Sequence, residues 1–105
     1  MTRNISIYNT FGRTASDGEL AYAFRLKELN RCYANSEQIT LDFTNFRMSN
    51  SSFMNALIAP YFAEHGEKAL EKFSFKGCRG TVKVLVEGAV SLGLIKHRES
   101  TASSF

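Results

Sequence analysis

The stretch QITLDFTNFRMSNSSFMNALIAPYF, residues 38–62, decides how this chain folds. It opens in strict alternation, with Ile39, Leu41 and Phe43 on one side and Thr40, Asp42 and Thr44 on the other. Side chains alternate across a strand, so the pattern predicts a sheet covered on one face and open on the other. The stretch closes on paired apolar positions: Phe53 and Met54, Leu57 and Ile58, Tyr61 and Phe62. That recurrence every four residues predicts a helix with one apolar face. Four small polar residues, Ser49, Asn50, Ser51 and Ser52, stand between the two patterns, where a helix start is expected. Pro60 has no amide to donate, which predicts a kink or a restart within the helix.

Working outward, NISIY alternates Ile5 and Ile7 with polar neighbours and predicts a short edge-like strand. FGRTASDG is loop by composition, and Ser16 with Glu19 three residues later has the form of a capping box. The helix it opens carries Tyr22, Leu26, Leu29 and Tyr33 at helical spacing, with Leu20, Ala23 and Phe24 beside them. ANSEQ ends that helix, and EHGEK ends the next and links onward. KFSFKG predicts a strand with Phe73 and Phe75 facing one way. In TVKVLVEGAVSLGLIK the β-branched content favours a strand, whereas Val82, Leu85, Val86 and Ala89 fit a helical face. Gly88 and Gly93 would serve a long strand poorly, so the segment is predicted helical. The order β-α-β-α-β-α predicts an α/β domain over residues 1–98, with helices mainly on one face of a short sheet. Residues 99–105, ESTASSF, are expected to form a disordered tail.

At 105 residues the chain suits one core rather than two. Its 44% hydrophobic and 12% aromatic content is that of a globular domain, which sets disorder aside. No apolar run approaches a membrane span, and MTRNISIYNT lacks the apolar core of a signal peptide. With only Cys32 and Cys78, the expected setting is the cytoplasm, with both thiols reduced. The net charge of +3 comes from scattered cations, among them Arg13, Arg25, Lys27, Arg31, Lys72, Lys76, Arg79 and Lys83. Nucleic-acid binders concentrate their charge more than this, so a basic nucleic-acid-associated accessory role is the alternative reading, not the leading one.

No catalytic constellation is visible. Asp42 has no base, metal or nucleophile at a useful spacing and reads as an acceptor that holds a loop. GRTASDG lacks Walker spacing, and no G-x-S-x-G elbow occurs. His65 and His97, like Cys32 and Cys78, lie too far apart in sequence for metal-ligand spacing. Catalytic residues, metal and cofactor are therefore all expected to be none, and the chain is not expected to be an enzyme. Attention returns to the serines. A cap uses one residue, Ser49 or Asn50, and leaves the others in excess. A phosphate on a first-turn serine would rest against the helix dipole and add about two negative charges to a binding surface.

The strand ITLDF running into NSSF, with GTVKVLVEGAVSLGLIK further on, resembles a STAS domain, the fold of bacterial anti-sigma-factor antagonists. Still more similar are the small bacterial STAS-like proteins of unknown function, with their counterparts of DGELAYAF, a V-D-F strand and an SSF helix opening. The resemblance spans roughly residues 5 to 97. It implies a non-catalytic regulatory module bound by a protein partner, a histidine-kinase-type ATPase or an anti-sigma-like kinase. It also implies that Ser52, with Ser51 beside it, takes the place of the phosphorylated serine, and that Asn50 and Ser49 belong to the same partner-binding surface. Asp42 and Phe53 would support that surface. Asn50 stands where the antagonist motif has Asp, and Phe53 where it has Gly.

Overall fold

The computed structural model describes residues 2–36 and 38–102, with backbone alone at 101 and 102. Three strands, β1 (Thr2–Ser6), β2 (Gln38–Asp42) and β3 (Phe73–Lys76), lie side by side in that order and run parallel. The register sets Ile5 against Leu41, and Leu41 against Phe75. A row of apolar side chains therefore crosses the sheet on one face. Ile5, Ile39, Leu41 and Phe73 are buried there, while Asn4, Ser74 and Lys76 lie exposed on the other face. Parallel neighbours need crossover helices, and two crossovers of one hand, stepping in one direction, place their helices on one face. This is the one-sided α/β architecture that the alternation at residues 39–44 predicts.

The helices are α1 (Ile7–Phe11), α2 (residues 18–35), α3 (Ser51–His65), α4 (Lys68–Lys72) and α5 (Gly80–Ala102). The expected order lacked α1 and α4. Each is five residues long, too short to show a period. The chain leaves β1 one residue before Ile7, where the sequence predicted more strand. Ser6 accepts from the Asn9 amide (3.1 Å) and, through its carbonyl, from the Thr10 hydroxyl (2.7 Å), closing the turn. Ile7 remains fully buried.

In α2 the inward face differs from the one predicted. Tyr22 and Leu26 are 51% and 50% exposed, and the buried positions are Ala21, Leu29 and Cys32. The cause is a π turn over Arg25–Leu29, set between the α-helical pieces Gly18–Phe24 and Asn30–Asn35. A π turn inserts one residue without completing a further turn, so every later position shifts by one. Leu29 thereby takes the inward place that uninterrupted spacing from Ala21 would give to Glu28.

The helix α3 is the centre of the core, with Phe53, Met54, Leu57, Ile58, Tyr61 and Phe62 all buried. It does not restart at Pro60. The carbonyl that Pro60 cannot satisfy, Ala56 O, accepts instead from Arg25 Nε of α2 at 3.0 Å. The most extensive helix pairing is between α3 and α5. In α5, Val82, Val86, Ala89 and Gly93 are buried along one stripe. One turn beyond Gly93, His97 Nδ1 donates to the Ala63 carbonyl (3.0 Å), near the end of α3. The segment that was ambiguous between strand and helix is thus helical. Of the tail expected at 99–105, residues 99–102 belong to α5, and 103–105 lie outside the described residues. Among the described residues no helix is long and apolar enough to cross a membrane.

Candidate functional site

Two loops, residues 12–17 and 43–50, run together in parallel before α2 and α3. The Ala15 amide donates to the Met48 carbonyl (3.1 Å), and the Arg47 amide donates to the Arg13 carbonyl (2.7 Å). One side chain joins this clip to the helix start. Asn50, in extended backbone, accepts from the Phe53 amide through Oδ1 (2.9 Å) and donates from Nδ2 to the Ser16 carbonyl (3.0 Å). The cap of α3 is therefore Asn50, not Ser49. An aspartate could make the first of these bonds but has no proton for the second. That is a structural reason for asparagine where the antagonist motif has Asp.

The α2 start lies directly alongside. Its cap is Asp17, whose carboxylate accepts from the Glu19 amide (2.9 Å), so the capping box expected of Ser16 and Glu19 does not form. A Cβ on Gly18 would fall 2.9 Å from Ser52 Oγ and 3.1 Å from its carbonyl oxygen. Only glycine lets the two helix starts come this close. Ser52 shares a shallow hollow with Asp17, Glu19 and Tyr22. Ser51 and Ser52 are exposed, and their amides, the first of α3, have no backbone acceptor among the described residues. Ser49 is different: its Oγ is enclosed and has no hydrogen-bond partner among the described residues.

Beneath the serines, Phe53 is fully buried. It meets Phe11 edge-on at 4.9 Å, and Phe11 meets Phe24 edge-on at 5.3 Å. On its other side Phe53 lies 6.0 Å from Phe46, which in turn lies 5.9 Å from Phe43. This row of rings fixes α1, α2, α3 and the loop after β2 to one another. Asp42, at the end of β2, accepts from both the hydroxyl (2.6 Å) and the amide (2.9 Å) of Thr44. Those two bonds, with Lys76 beyond them, hold its carboxyl below the usual carboxylate range. Its role in the geometry is to turn the chain out of the strand.

A family model described as STAS-like domain of unknown function (DUF4325) matches residues 25–83. The match takes in β2, the loop that follows, α3 and β3, more than half of the chain. The chain belongs to the STAS-like domain family. No curated protein and no solved structure matches it. Asn50, Ser51 and Ser52 lie inside the matched region of this STAS-like domain, whereas Asp17 and Gly18 precede it. That second half of the site escaped the sequence reading. Asp17-Gly18 reads locally as an ordinary turn, and nothing in it points to Ser52.

Among the described residues, no group of three or more His, Cys, Asp or Glu side chains is placed to hold a metal ion. Burial, then Glu87 and Asp42, push the Cys78 thiol up, which keeps it protonated and poorly nucleophilic. Tyr33 stacks with the rings of both Tyr61 and His65, each at 4.9 Å, and Lys72 Nζ sits 4.6 Å from its centroid. Tyr61 also donates to Asn30 Oδ1. These contacts tie α2, α3 and α4 together.

Proposed function

We propose that this STAS-like domain is a non-catalytic regulatory module that binds a protein partner across the paired starts of α2 and α3. The carrying observation is the double role of Asn50, which caps α3 and grips the loop before α2. It makes two helix starts that are remote in sequence one rigid surface, with Ser51 and Ser52 outward and free amides beneath them. Such a surface suits a partner that reads small side chains and backbone closely. The STAS resemblance points to a kinase-type ATPase as that partner, with Ser52, or Ser51 beside it, as the residue it modifies. Free Cys32 and Cys78 accord with a cytoplasmic setting.

The neighbours of Ser52 give the switch its sign. A phosphate there would gain the dipole of α3 but would stand beside Asp17 and Glu19. The added charge therefore favours release of a partner that approaches this face with carboxylates, and recruitment of one that brings arginines. Ser52→Asp is expected to shift stability by less than about 0.5 kcal/mol, as surface changes do. It is expected to reduce capture of a kinase-type ATPase from native-host extract by about tenfold, through like-charge repulsion, while Ser52→Ala retains capture. Quantitative pull-down with mass spectrometry, run beside thermal melts, reads both. Equal capture by all three proteins would defeat the switch, and unfolding of Ser52→Asp would make the serine purely structural.

A further inference from the structure

On the far side of the loop after β2, a groove of about 450 Å³ opens at the carboxyl ends of β2 and β3. Its rim carries Thr44, Asn45, Arg47, Arg79 and Thr81. Neither arginine makes an ion pair or a side-chain hydrogen bond with a described residue, so both guanidinium groups are available to a ligand. Asn45 holds φ at 69°, and among the described residues it is the only non-glycine with positive φ. Asparagine is among the few side chains that adopt this backbone readily, and it turns the loop along the groove's rim. In open parallel sheets, the carboxyl ends of strands are where ligands bind.

We infer that this groove is a binding site for a phosphate-bearing small molecule, with Arg47 and Arg79 as the groups that hold the phosphate. Two guanidinium groups on the rim of one groove, carried by separate loops, suit a multiply charged oxyanion, because each can give it two parallel hydrogen bonds. Gly80 and Thr81, which also line the groove at the start of the 23-residue α5, have amides with no backbone acceptor among the described residues, and these add donors of the same sign. Lys76 and Lys83 stand nearby in sequence. The nearest carboxylate in sequence, Asp42, is already engaged by Thr44. The volume lies within the range of small-molecule pockets. The aromatic residues of the groove, Phe43 and Phe46, are buried at 0% and 5% exposure. They offer no open ring face, whereas single-stranded nucleic acid is held by stacked bases. The groove is therefore built for charge in a small volume and not for a polymer track. It is distinct from the paired helix starts, and its occupation does not depend on what binds there.

The test is isothermal titration of the intact domain with pyrophosphate, inorganic phosphate and adenosine monophosphate, beside a short duplex DNA. At least one small phosphate probe is expected to bind, and Arg47→Ala and Arg79→Ala are each expected to weaken it by about tenfold, the weight of a hydrogen bond to a charged group. Arg79→Lys keeps the charge but not the planar fork, so it should lose less than Arg79→Ala. Melts confirm that the variants fold, and should either alanine variant fail to fold, the lysine variants at both positions carry the comparison. Pyrophosphate binding without the monophosphate would assign the site to a diphosphate group, and monophosphate binding without pyrophosphate to a single phosphate on a larger molecule. No binding by any small probe at millimolar concentration would overturn the inference, as would binding untouched by the arginine changes. Tighter binding of the duplex than of every small probe, weakening steeply with salt, would assign the groove to nucleic acid instead.

Discussion

Replacing Phe53 by alanine is expected to destabilise the domain by about 3–5 kcal/mol, the cost of removing a large buried aromatic side chain. Two losses combine. The ring leaves apolar burial, and its neighbours cannot collapse into the space. Phe11 and Phe46 contact it from different segments, and each is held by a further ring, Phe24 or Phe43. A domain of this size has about 5–15 kcal/mol of stability in all, so the change removes a large share of it. Chemical denaturation with the slope held common would measure it. The site should suffer before the fold does: Phe53 is the residue whose amide Asn50 caps, and the ring anchors the turn that displays Ser51 and Ser52. At temperatures where the variant is still folded, partner capture should already be weakened. A cost below about 1 kcal/mol would mean that the aromatic row is loose and that the serines do not stand on a rigid support.

The inward turn of Phe53 was legible because α3 carries its apolar residues in pairs at helical spacing, a pattern a 15-residue helix repeats several times. The strand at Ile39 to Asp42 was legible for the same reason at period two. The phase of α2 was not. A π turn leaves no mark in composition, and uninterrupted helical spacing makes Tyr22 and Leu26 look as inward as Leu29. The fate of Pro60 was half legible: the missing amide is written in the residue, but its compensation comes from Arg25 on another helix. The site divides in the same way. Asn50 as a candidate cap could be read locally, but its second bond, to Ser16, joins residues 34 apart. The approach of Gly18 to Ser52 is equally remote in sequence. Local chemistry shows where a helix begins, and only the packed sheet shows which two helices begin together.

The sharpest energetic contrast in the chain lies within α5, between Gly88 and Gly93. Both are helical glycines, and alanine in place of glycine within a helix gains about 0.5–1 kcal/mol by limiting the unfolded chain. At Gly88 an added Cβ would meet nothing within 4 Å, so Gly88→Ala is expected to be more stable by that amount. At Gly93 the same methyl would fall 2.5 Å from the Ala59 carbonyl oxygen and 2.6 Å from Phe62 Cβ. These are atoms of α3 close to its main chain, not the ends of flexible side chains. Since α3 is fixed by the sheet, α5 would have to move away. Moving it loosens the stripe of Val82, Val86 and Ala89 and draws His97 off the Ala63 carbonyl. Gly93→Ala is therefore expected to cost about 3 kcal/mol, the upper end of overpacking penalties, despite the gain in helix propensity. Gly93→Val adds two more methyl groups at the same contact and should leave little folded protein at 37 °C. Paired denaturation curves for Gly88→Ala and Gly93→Ala should shift in opposite directions. If Gly93→Ala is neutral or stabilising, α5 does not lie against α3 as closely as Gly93 allows, and the core on that side is looser than the burial of Val86 and Ala89 requires.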